Sequence, residues 1–386
     1  MPSDRTKISN SRSGGPSRLR RILTCVALCA FVLLLSELFL RIYAPVPMLP
    51  RYIASAEYGV RMNMPNQSYA HTTPDYEIQI QTNSKGIRSD REIPYEKPNA
   101  KKRIVALGDS FLMGYGAHPD EMLLNVMVER LRAAGEDVEL VNLAVSGFGN
   151  AEELVALQAE GMKYEPDLVL IGWHGTDLDD NVRSGLFDLQ DGKLTRAAET
   201  FLPAVKSREI LFRIPLYRFL AGHSQLYNWF RDKVGEAVKT VLADVRDAQS
   251  AAAQAKQLEP TAPAPAADLR QETAEESAED VSYAERLTLA ILRRIDQVSR
   301  DGGAELLIID IPERLNRTTF RSAYPLGPGF EDFNLFSPLP MFEERKGQLL
   351  YWERSHGHFT PLGNRIVGEG AADLILERNL LGPPRE

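Results

Sequence analysis

The sequence predicts a three-layer α/β/α domain, in which a parallel β-sheet lies between two layers of helices, together with an apolar N-terminal transmembrane helix. Short apolar runs, each typical of a strand buried on both faces, lie at residues 104–107, 167–171 and 304–309. Segments with apolar residues at helical spacing separate these runs. Strands that alternate with helices form parallel sheets, and such sheets bind ligands beyond the carboxyl ends of their strands.

Composition and charge are typical of a folded globular protein. Of the 386 residues, 44% are hydrophobic and 25% are charged. A chain of this length has room for one large α/β domain with appendages or for two modest domains. The formal net charge is −8. Because nucleic-acid binding needs basic side chains to neutralise phosphates, we expect no nucleic acid as a partner. The two cysteines, Cys25 and Cys29, both lie in the apolar N-terminal segment and do not fix the compartment.

Residues 22–40 form an apolar segment of 19 residues, interrupted only by Thr24, Ser36 and Glu37. At about 1.5 Å per residue, it nearly spans the roughly 30 Å hydrocarbon core of a bilayer. A signal peptide is the alternative, but the residues that follow offer a poor cleavage site. Six basic residues precede the segment, so we expect a single-pass anchor with residues 1–21 as a cytoplasmic tail. We therefore expect an inner-membrane protein with its catalytic domain in the periplasm or otherwise outside the cytoplasm.

Residues 44–100, which we call the prelude, are rich in Pro, Asn and Tyr. Within the prelude, residues 76–82 alternate polar and apolar side chains and predict an edge strand. The main domain follows over residues 101–382. Its second strand is predicted at residues 138–143, and a helix is predicted at residues 151–161, where Gly161 ends it.

The regular alternation stops near Arg183, and residues 184–280 form an insertion. Residues 184–246 contain helical stretches with many aromatic side chains. They predict a lid or a membrane-facing surface, with ordinary helical packing against the sheet as an equal alternative. Residues 247–280 are rich in Ala, Pro, Gln and Glu and predict a disordered loop whose deletion costs little stability. A capping box at residues 282–285 then begins a helix, and residues 362–380 predict the closing helix.

The stretch from Arg103 to Gly116 carries the clearest chemical signal. Gly108 permits a sharp turn after the apolar run, Asp109 is a good helix N-cap, and Ser110 begins the next helix. The backbone N–H of such a serine has no helical partner and is therefore free to receive a developing oxyanion. An ordinary strand-to-helix turn without chemistry is the alternative for this motif on its own.

Four segments follow the predicted strands at the same edge of the sheet. They are Gly108-Asp109-Ser110 and residues 142–149, 172–177 and 356–363. In this order they resemble the four sequence blocks of the SGNH (GDSL-type) hydrolase superfamily of esterases and acyl-transfer enzymes. The resemblance covers about residues 76–380, apart from the insertion. It implies a flavodoxin-like fold and an acyl-ester substrate, and it implies no cofactor.

The resemblance implies a role for one residue in each of three blocks. Ser110 matches the nucleophile, and its backbone N–H would be one oxyanion donor. Gly147 matches the second donor, also through its backbone N–H. His358 matches the general base that takes the proton from Ser110 and returns it to the leaving group.

Two blocks depart from the family pattern. Thr176 stands where the family has an Asn whose side chain is the third oxyanion donor, and a threonine side chain is shorter and stiffer. The Asp that the family places two or three residues before the histidine is replaced by His356 and Ser355. The imidazole then needs another orienter: a backbone carbonyl, Ser355, a neutral His356, or a carboxylate such as Glu353 or Asp310. Loss of catalysis is the remaining alternative.

Three histidines, His174, His356 and His358, raise the question of a metal, but without a cysteine or a clear carboxylate beside them we expect none. We predict a slow hydrolase that acts through Ser110 on acyl or acetyl esters of envelope glycans or lipids. Two alternatives stay open. One is an O-acyltransferase that modifies an envelope polysaccharide, and the other is a non-catalytic binding or assembly protein with the same fold.

Overall fold

The computed structural model describes residues 18–98, 101–203, 205–235, 237, 282–325 and 327–382. Most of the predicted cytoplasmic tail and the predicted loop 247–280 lie outside the described residues. The strands are β1 (Ile53–Ser55), β2 (Arg61–Asn63), β3 (Ser68–Thr72), β4 (Glu77–Gln81), β5 (Lys102–Leu107), β6 (Val138–Asn142), β7 (Leu168–Trp173), β8 (Phe187–Gln190), β9 (Lys193–Arg196), β10 (Glu305–Asp310), β11 (Glu313–Arg314), β12 (Phe320–Arg321) and β13 (Asn334–Phe336). The helices are α1 (Arg18–Tyr43), α2 (Ser110–Met113), α3 (Leu123–Ala133), α4 (Asn150–Ala159), α5 (Asp177–Ser184), α6 (Val205–Phe212), α7 (Pro215–His223), α8 (residues 225–235), α9 (Tyr283–Asp301), α10 (Leu339–Glu344) and α11 (Pro361–Glu377).

The central sheet has five parallel strands in the order β6-β5-β7-β10-β13. Numbered along the chain within the sheet, this order is 2-1-3-4-5, which is the flavodoxin-like arrangement. The strand order reverses between β5 and β7, and the crevice outside the carboxyl ends of these two strands is where such folds bind ligands. The predicted fold class is therefore confirmed.

Both faces of the sheet are buried, which explains the uninterrupted apolar runs in the sequence. In β5, Ile104 and Ala106 belong to one core cluster, while Val105 and Leu107 belong to the other. Helices α3 and α11 supply the first cluster, and α4 and α9 supply the second. Since alternate side chains of a strand point to opposite faces, a strand covered on both sides must be apolar at nearly every position.

Two elements differ from the sequence-based expectations. The fifth strand, β13, lies in the region that the sequence shows only as a loop rich in Pro and Phe. With three residues, this strand is too short for a periodic signal. The insertion begins with the hairpin β8–β9 before its helices begin.

The prelude packs onto the main domain. Its predicted edge strand is β4, which pairs with β3 in an antiparallel hairpin. Tyr69, Ile78 and Ile80 from this hairpin belong to the same core cluster as Ile104 of the central sheet. The hairpin is therefore held in place by the core of the main domain.

Helix α1 is long and apolar enough to cross a membrane, with a mean hydropathy of 2.5 over an 18-residue window. Near its end, Glu37 contacts the insertion. The Glu37 carboxylate accepts hydrogen bonds from Ser224 Oγ and from the backbone N–H groups of Gln225 and Leu226, each at 2.9 Å. These amides begin α8, so a residue of α1 caps the N-terminus of a helix in the insertion.

Candidate active site

Ser110 lies at the turn where β5 ends and α2 begins. Gly108 is needed there, because a Cβ at this position would lie 2.8 Å from a methyl carbon of Leu112. The Asp109 carboxylate accepts a hydrogen bond from the Phe111 backbone N–H at 2.8 Å and caps α2, as expected from the sequence. Within the part of the chain that the structure describes, the Ser110 N–H donates to no protein acceptor. This N–H therefore remains available to a substrate oxygen.

The structure brings His358 to Ser110. The Nε2 atom of His358 lies 2.8 Å from Ser110 Oγ, although 248 positions separate the two residues in sequence. The imidazole packs against the rings of Phe111 and Tyr115, with ring centroids 5.0 and 5.4 Å away. Burial lowers the pKa of His358 to about 3. Near pH 7 the ring is therefore neutral, which is the form that can accept a proton from serine.

The other ring nitrogen of His358, Nδ1, is buried and receives no hydrogen bond of good geometry from the described residues. Burial has the larger effect on His358 and lowers its pKa. The backbone carbonyl of Ser355, which lies towards the ring, raises the pKa and offsets part of that effect. Hydrogen bonds at catalytic groups are often long before substrate binds, and a backbone carbonyl is one of the orienters expected from the sequence. Neither expected carboxylate bonds the ring, because Glu353 forms an exposed ion pair with an arginine at 2.5 Å and Asp310 accepts from Ser337 at 2.8 Å.

Gly147 lies in the loop that follows β6. Its φ of 83° is in the left-handed region that favours glycine. Arg61 of β2 donates to the Gly147 carbonyl at 2.5 Å and forms a buried ion pair with Glu152 at 2.7 Å. Among the described residues, no acceptor bonds the Gly147 N–H. The loop is thus held by its carbonyl, while its N–H stays available.

Thr176 is the N-cap residue of α5 and is exposed. Its hydroxyl lies 3.1 Å from Nδ1 of His174. Burial raises the pKa of Asp180, and a hydrogen bond from Thr176 offsets part of this increase. Because a hydroxyl has one proton, Thr176 cannot donate to Asp180 and to an oxyanion at the same time. The ring of His174 stacks on Phe111 at a centroid distance of 5.5 Å, and Phe111 also contacts His358.

A pair of buried carboxyl groups lies behind these loops and was not singled out in the sequence as buried. Asn150 donates to Glu153 at 3.0 Å and to Asp177 at 3.4 Å. Burial raises the pKa of Glu153 to about 8 and raises that of Asp177 well above its ordinary value. Asp177 also accepts from the His174 backbone N–H at 2.9 Å, which fixes the turn of the third block. Among the described residues, no group of three or more His, Cys, Asp or Glu side chains is arranged for a metal ion.

The prelude supports the loops of the site from outside, and no sequence pattern pointed to these contacts. Asn63 donates to a backbone carbonyl after β6 at 3.1 Å. Arg88 donates to the carbonyl of Met113, at the end of α2, at 2.7 Å. Asp75 accepts a hydrogen bond from Ser355 Oγ, in the loop that carries His358, at 2.8 Å. Polar side chains in a loop-rich segment are common, so nothing local distinguishes these three.

No family model and no curated protein sequence matches the chain. Solved structures that match include the esterase EstA from Pseudoalteromonas sp. inhibited by monoethylphosphonate, with 14% identity over 72% of this chain and 99% of that chain and a TM-score of 0.34. A mutant acetylxylan esterase from Geobacillus stearothermophilus matches with 12% identity over 72% of this chain and 96% of that chain and a TM-score of 0.36. A protein of the G-D-S-L family from Desulfitobacterium hafniense also matches, with 10% identity over 71% of this chain and 99% of that chain and a TM-score of 0.33. Since these TM-scores are below 0.5, no activity and no residue role is taken from these proteins.

Proposed function

We propose that this chain is a serine-dependent ester hydrolase of the SGNH type, with Ser110 as nucleophile and His358 as general base. The distance of 2.8 Å between Ser110 Oγ and His358 Nε2 carries the proposal. A nucleophile and a neutral base within hydrogen-bond reach are the minimum that acyl transfer through serine needs. The backbone N–H groups of Ser110 and Gly147, which have no acceptor among the described residues, complete the arrangement.

In the proposed mechanism, Ser110 donates its hydroxyl proton to Nε2 of His358 while Oγ attacks the ester carbonyl carbon. The carbonyl oxygen becomes an oxyanion and accepts hydrogen bonds from the Ser110 and Gly147 N–H groups. The imidazolium then returns the proton to the departing alcohol, which leaves an acyl group on Ser110. Water, deprotonated by the same ring, hydrolyses this acyl-enzyme.

The third oxyanion donor is the weak point of the proposed hole. Thr176 takes this role only when its hydroxyl proton turns away from Asp180. Removal of one donor from an oxyanion hole typically costs about 10²–10³ in rate, so we expect a slow enzyme.

A non-catalytic binding function is the second candidate, and two observations favour it. Nδ1 of His358 receives no hydrogen bond of good geometry from the described residues, and the Thr176 hydroxyl is engaged by its neighbours. A serine whose base is poorly oriented would bind an ester without turning it over.

A fluorophosphonate probe distinguishes the two candidates, because it labels only an activated serine and needs no knowledge of the substrate. We expect mass spectrometry to show one adduct, on Ser110, in the full-length protein in detergent. Ser110→Ala is expected to remove the adduct and the hydrolysis of short-chain acyl esters. A folded wild-type protein that takes up no probe and hydrolyses no ester would establish the binding function instead.

We also propose that the protein is anchored by α1 in the inner membrane and acts on the extracytoplasmic side. The helices that Glu37 ties to α1 expose large apolar side chains, among them Leu216 (65% exposed), Phe219 (58%) and Phe230 (62%). Apolar side chains beside the end of a membrane span are typical of a surface that rests in the lipid headgroup region. Acyl or acetyl esters of envelope glycans or lipids are the substrates within reach of such a site.

A further inference from the structure

The orienter of His358 is the missing part of the proposed site, and Ser355 occupies the position from which an orienter would act. Ser355 stands three residues before His358, is fully buried, and directs its carbonyl towards the ring. Its hydroxyl donates to Asp75 Oδ2 at 2.8 Å. Asp75 therefore places a carboxylate one hydrogen bond away from Ser355, where an orienting carboxylate was expected. The two residues are 280 positions apart in sequence.

Asp75 contacts the His358 loop through several bonds. Besides the bond from Ser355, its carboxylate accepts from the Arg354 backbone N–H at 2.7 Å and from Arg354 Nε at 3.2 Å. The Arg354 guanidinium also donates to the Pro74 carbonyl at 2.8 Å. Although burial raises the pKa of Asp75, these hydrogen bonds outweigh it and hold the pKa below its ordinary value. The Asp75 carboxylate is thus ionised near pH 7, and it accepts hydrogen bonds from two consecutive residues of the His358 loop, Arg354 and Ser355.

The turn that carries Asp75 is itself well ordered by hydrogen bonds. It joins β3 to β4, and Thr73 Oγ1 accepts from the backbone N–H groups of Asp75 at 3.1 Å and of Tyr76 at 2.9 Å. The two strands belong to the hairpin that the core of the main domain holds. Asp75 is therefore presented from a fixed scaffold.

The loop that Asp75 holds has little freedom between Ser355 and His358. Its ends are joined by a hydrogen bond from the Trp352 N–H to the His358 carbonyl at 2.8 Å. His356 and Gly357 both adopt left-handed backbone conformations, with φ of 60° and 66°. With the backbone of this short loop fixed, the position of Ser355 determines where its carbonyl points relative to Nδ1 of His358.

We propose that Asp75 is the positioning residue for His358, supplying from the prelude the carboxylate that the loop itself lacks. This inference rests on the proposed function. Asp75 holds Ser355 so that its carbonyl accepts the Nδ1–H of His358, which leaves Nε2 unprotonated and facing Ser110. When the Ser110 proton moves to Nε2, the carbonyl and the nearby carboxylate stabilise the imidazolium.

The test compares the rate of fluorophosphonate labelling of Ser110 in full-length variants in detergent. Removal of an aspartate that bonds the histidine directly costs about 10⁴ in rate. Because Asp75 acts through Ser355, we expect Asp75→Asn to slow labelling by about 10- to 100-fold. Ser355→Ala is expected to cause a similar loss, and the double variant no further loss, since both remove the same link. Asp90→Asn, which removes an exposed carboxylate of the prelude, is the control and is expected to leave the rate unchanged.

Two further readouts separate positioning from a general structural role. Asp75→Ser combined with Ser355→Asp moves the carboxylate next to the ring. This double variant is expected to regain the lost rate and to shift the acid limb of the labelling rate to higher pH, because an adjacent carboxylate raises a histidine pKa. In the wild type, ¹⁵N NMR is expected to show His358 as the Nδ1–H tautomer, and in Asp75→Asn as a mixture of tautomers.

Each outcome bears on a distinct claim. Wild-type labelling and an unchanged tautomer in folded Asp75→Asn would overturn the role of Asp75 and leave the proposed function standing. A wild type that takes up no probe would end the proposed function, and the His358 tautomer in Asp75→Asn would then decide the positioning role alone. If Asp75→Asn does not fold, Ser355→Ala decides, and an unchanged rate in that variant would overturn the inference.

Discussion

At the scale of single residues, the environment of His358 determines how the site responds to pH. The imidazole is enclosed by aromatic rings, and among the described residues no carboxylate bonds it, so the Ser355 carbonyl offsets only part of the loss of solvation of its charged form. In a triad with a directly bonded aspartate, the carboxylate would offset this effect. The same feature that weakens orientation of the ring therefore keeps it neutral over a wide pH range.

The pKa of about 3 for His358 predicts a broad pH range for reactivity. The base must be neutral, so labelling of Ser110 by a fluorophosphonate is expected to stay nearly constant from pH 8 to about pH 5. With an ordinary histidine pKa near 6.5, the labelling rate would fall by about tenfold for each pH unit below that value. The measurement is the labelling rate against pH, with circular dichroism at each pH to confirm the fold. An acid limb near pH 6.5 would contradict this prediction.

The buried carboxyl group of Glu153 predicts that the stability of the fold decreases as the pH rises. Its pKa is raised by burial to about 8, from an ordinary value of 4.5. Between these values the folded protein holds a proton that the unfolded chain releases, so the contribution of Glu153 to stability falls as pH rises through this window. Glu153→Gln cannot ionise, and its unfolding free energy is expected to gain about 1–3 kcal/mol over the wild type between pH 6 and pH 9.

Urea unfolding of the full chain in detergent at pH 6 and pH 9 measures this difference. Glu57→Gln, at an exposed position, is the control and is expected to follow the wild type at both pH values. If Glu153→Gln and the wild type change in parallel, Glu153 is ionised in the folded protein and the prediction fails.

At the scale of elements, the contact between α1 and α8 links the apolar helix to the insertion. A helix N-terminus leaves backbone N–H groups without partners, and here the Glu37 carboxylate satisfies two of them from another helix. Residues 184–246 were expected to form a lid, a membrane-facing surface or ordinary packing. The described helices α7 and α8 favour the membrane-facing surface, because the residues at their junction contact α1 and because both helices expose apolar side chains.

Removal of the Glu37 carboxylate is therefore expected to loosen the start of α8. In Glu37→Ala the N–H groups of Gln225 and Leu226 lose their acceptor, at a cost of about 1–3 kcal/mol for buried or charge-assisted hydrogen bonds. Hydrogen exchange of these amides is expected to accelerate at least tenfold, with Glu37→Gln in between and Glu57→Ala unchanged. Equal protection of the amides in Glu37→Ala and the wild type would show that the contact does not hold α8.

At the scale of the whole molecule, the prelude joins the apolar helix α1 to the candidate site. It follows α1 directly, packs into the core below the sheet, and contacts the loops that carry Ser110, Gly147 and His358. Because these loops come from different strands, a single external segment that touches all of them fixes their relative positions.

The proposed topology of the chain rests on the charges around α1. Alkaline phosphatase fused after residue 386 is expected to be active in a bacterial host, because we expect the six basic residues before α1 to keep the N-terminus in the cytoplasm. A fusion after residue 17 is the control and is expected to be inactive. An inactive fusion at residue 386, or a mature N-terminus near Ala44, would contradict the proposed anchor.

The sequence by itself determined the fold class, and it supplied both members of the proposed reacting pair, Ser110 and His358. Buried parallel strands are apolar at successive positions, so β5, β7 and β10 are visible as continuous runs, and chemistry at their carboxyl ends follows from the topology. The Gly108-Asp109-Ser110 turn is equally local, since a sharp turn, an N-cap and the proposed nucleophile occupy adjacent positions.

Only the tertiary structure decided what supports that pair. Asp75 meets Ser355 across 280 positions, and Glu37 meets Leu226 across 189. A hydrogen bond between distant segments leaves no periodic or local mark, because each partner alone is an ordinary polar side chain or a backbone N–H group in a turn or near a helix end. The short edge strand β13 was missed for a related reason. It is a strand because it pairs with β10, and its three residues alone carry no strand pattern.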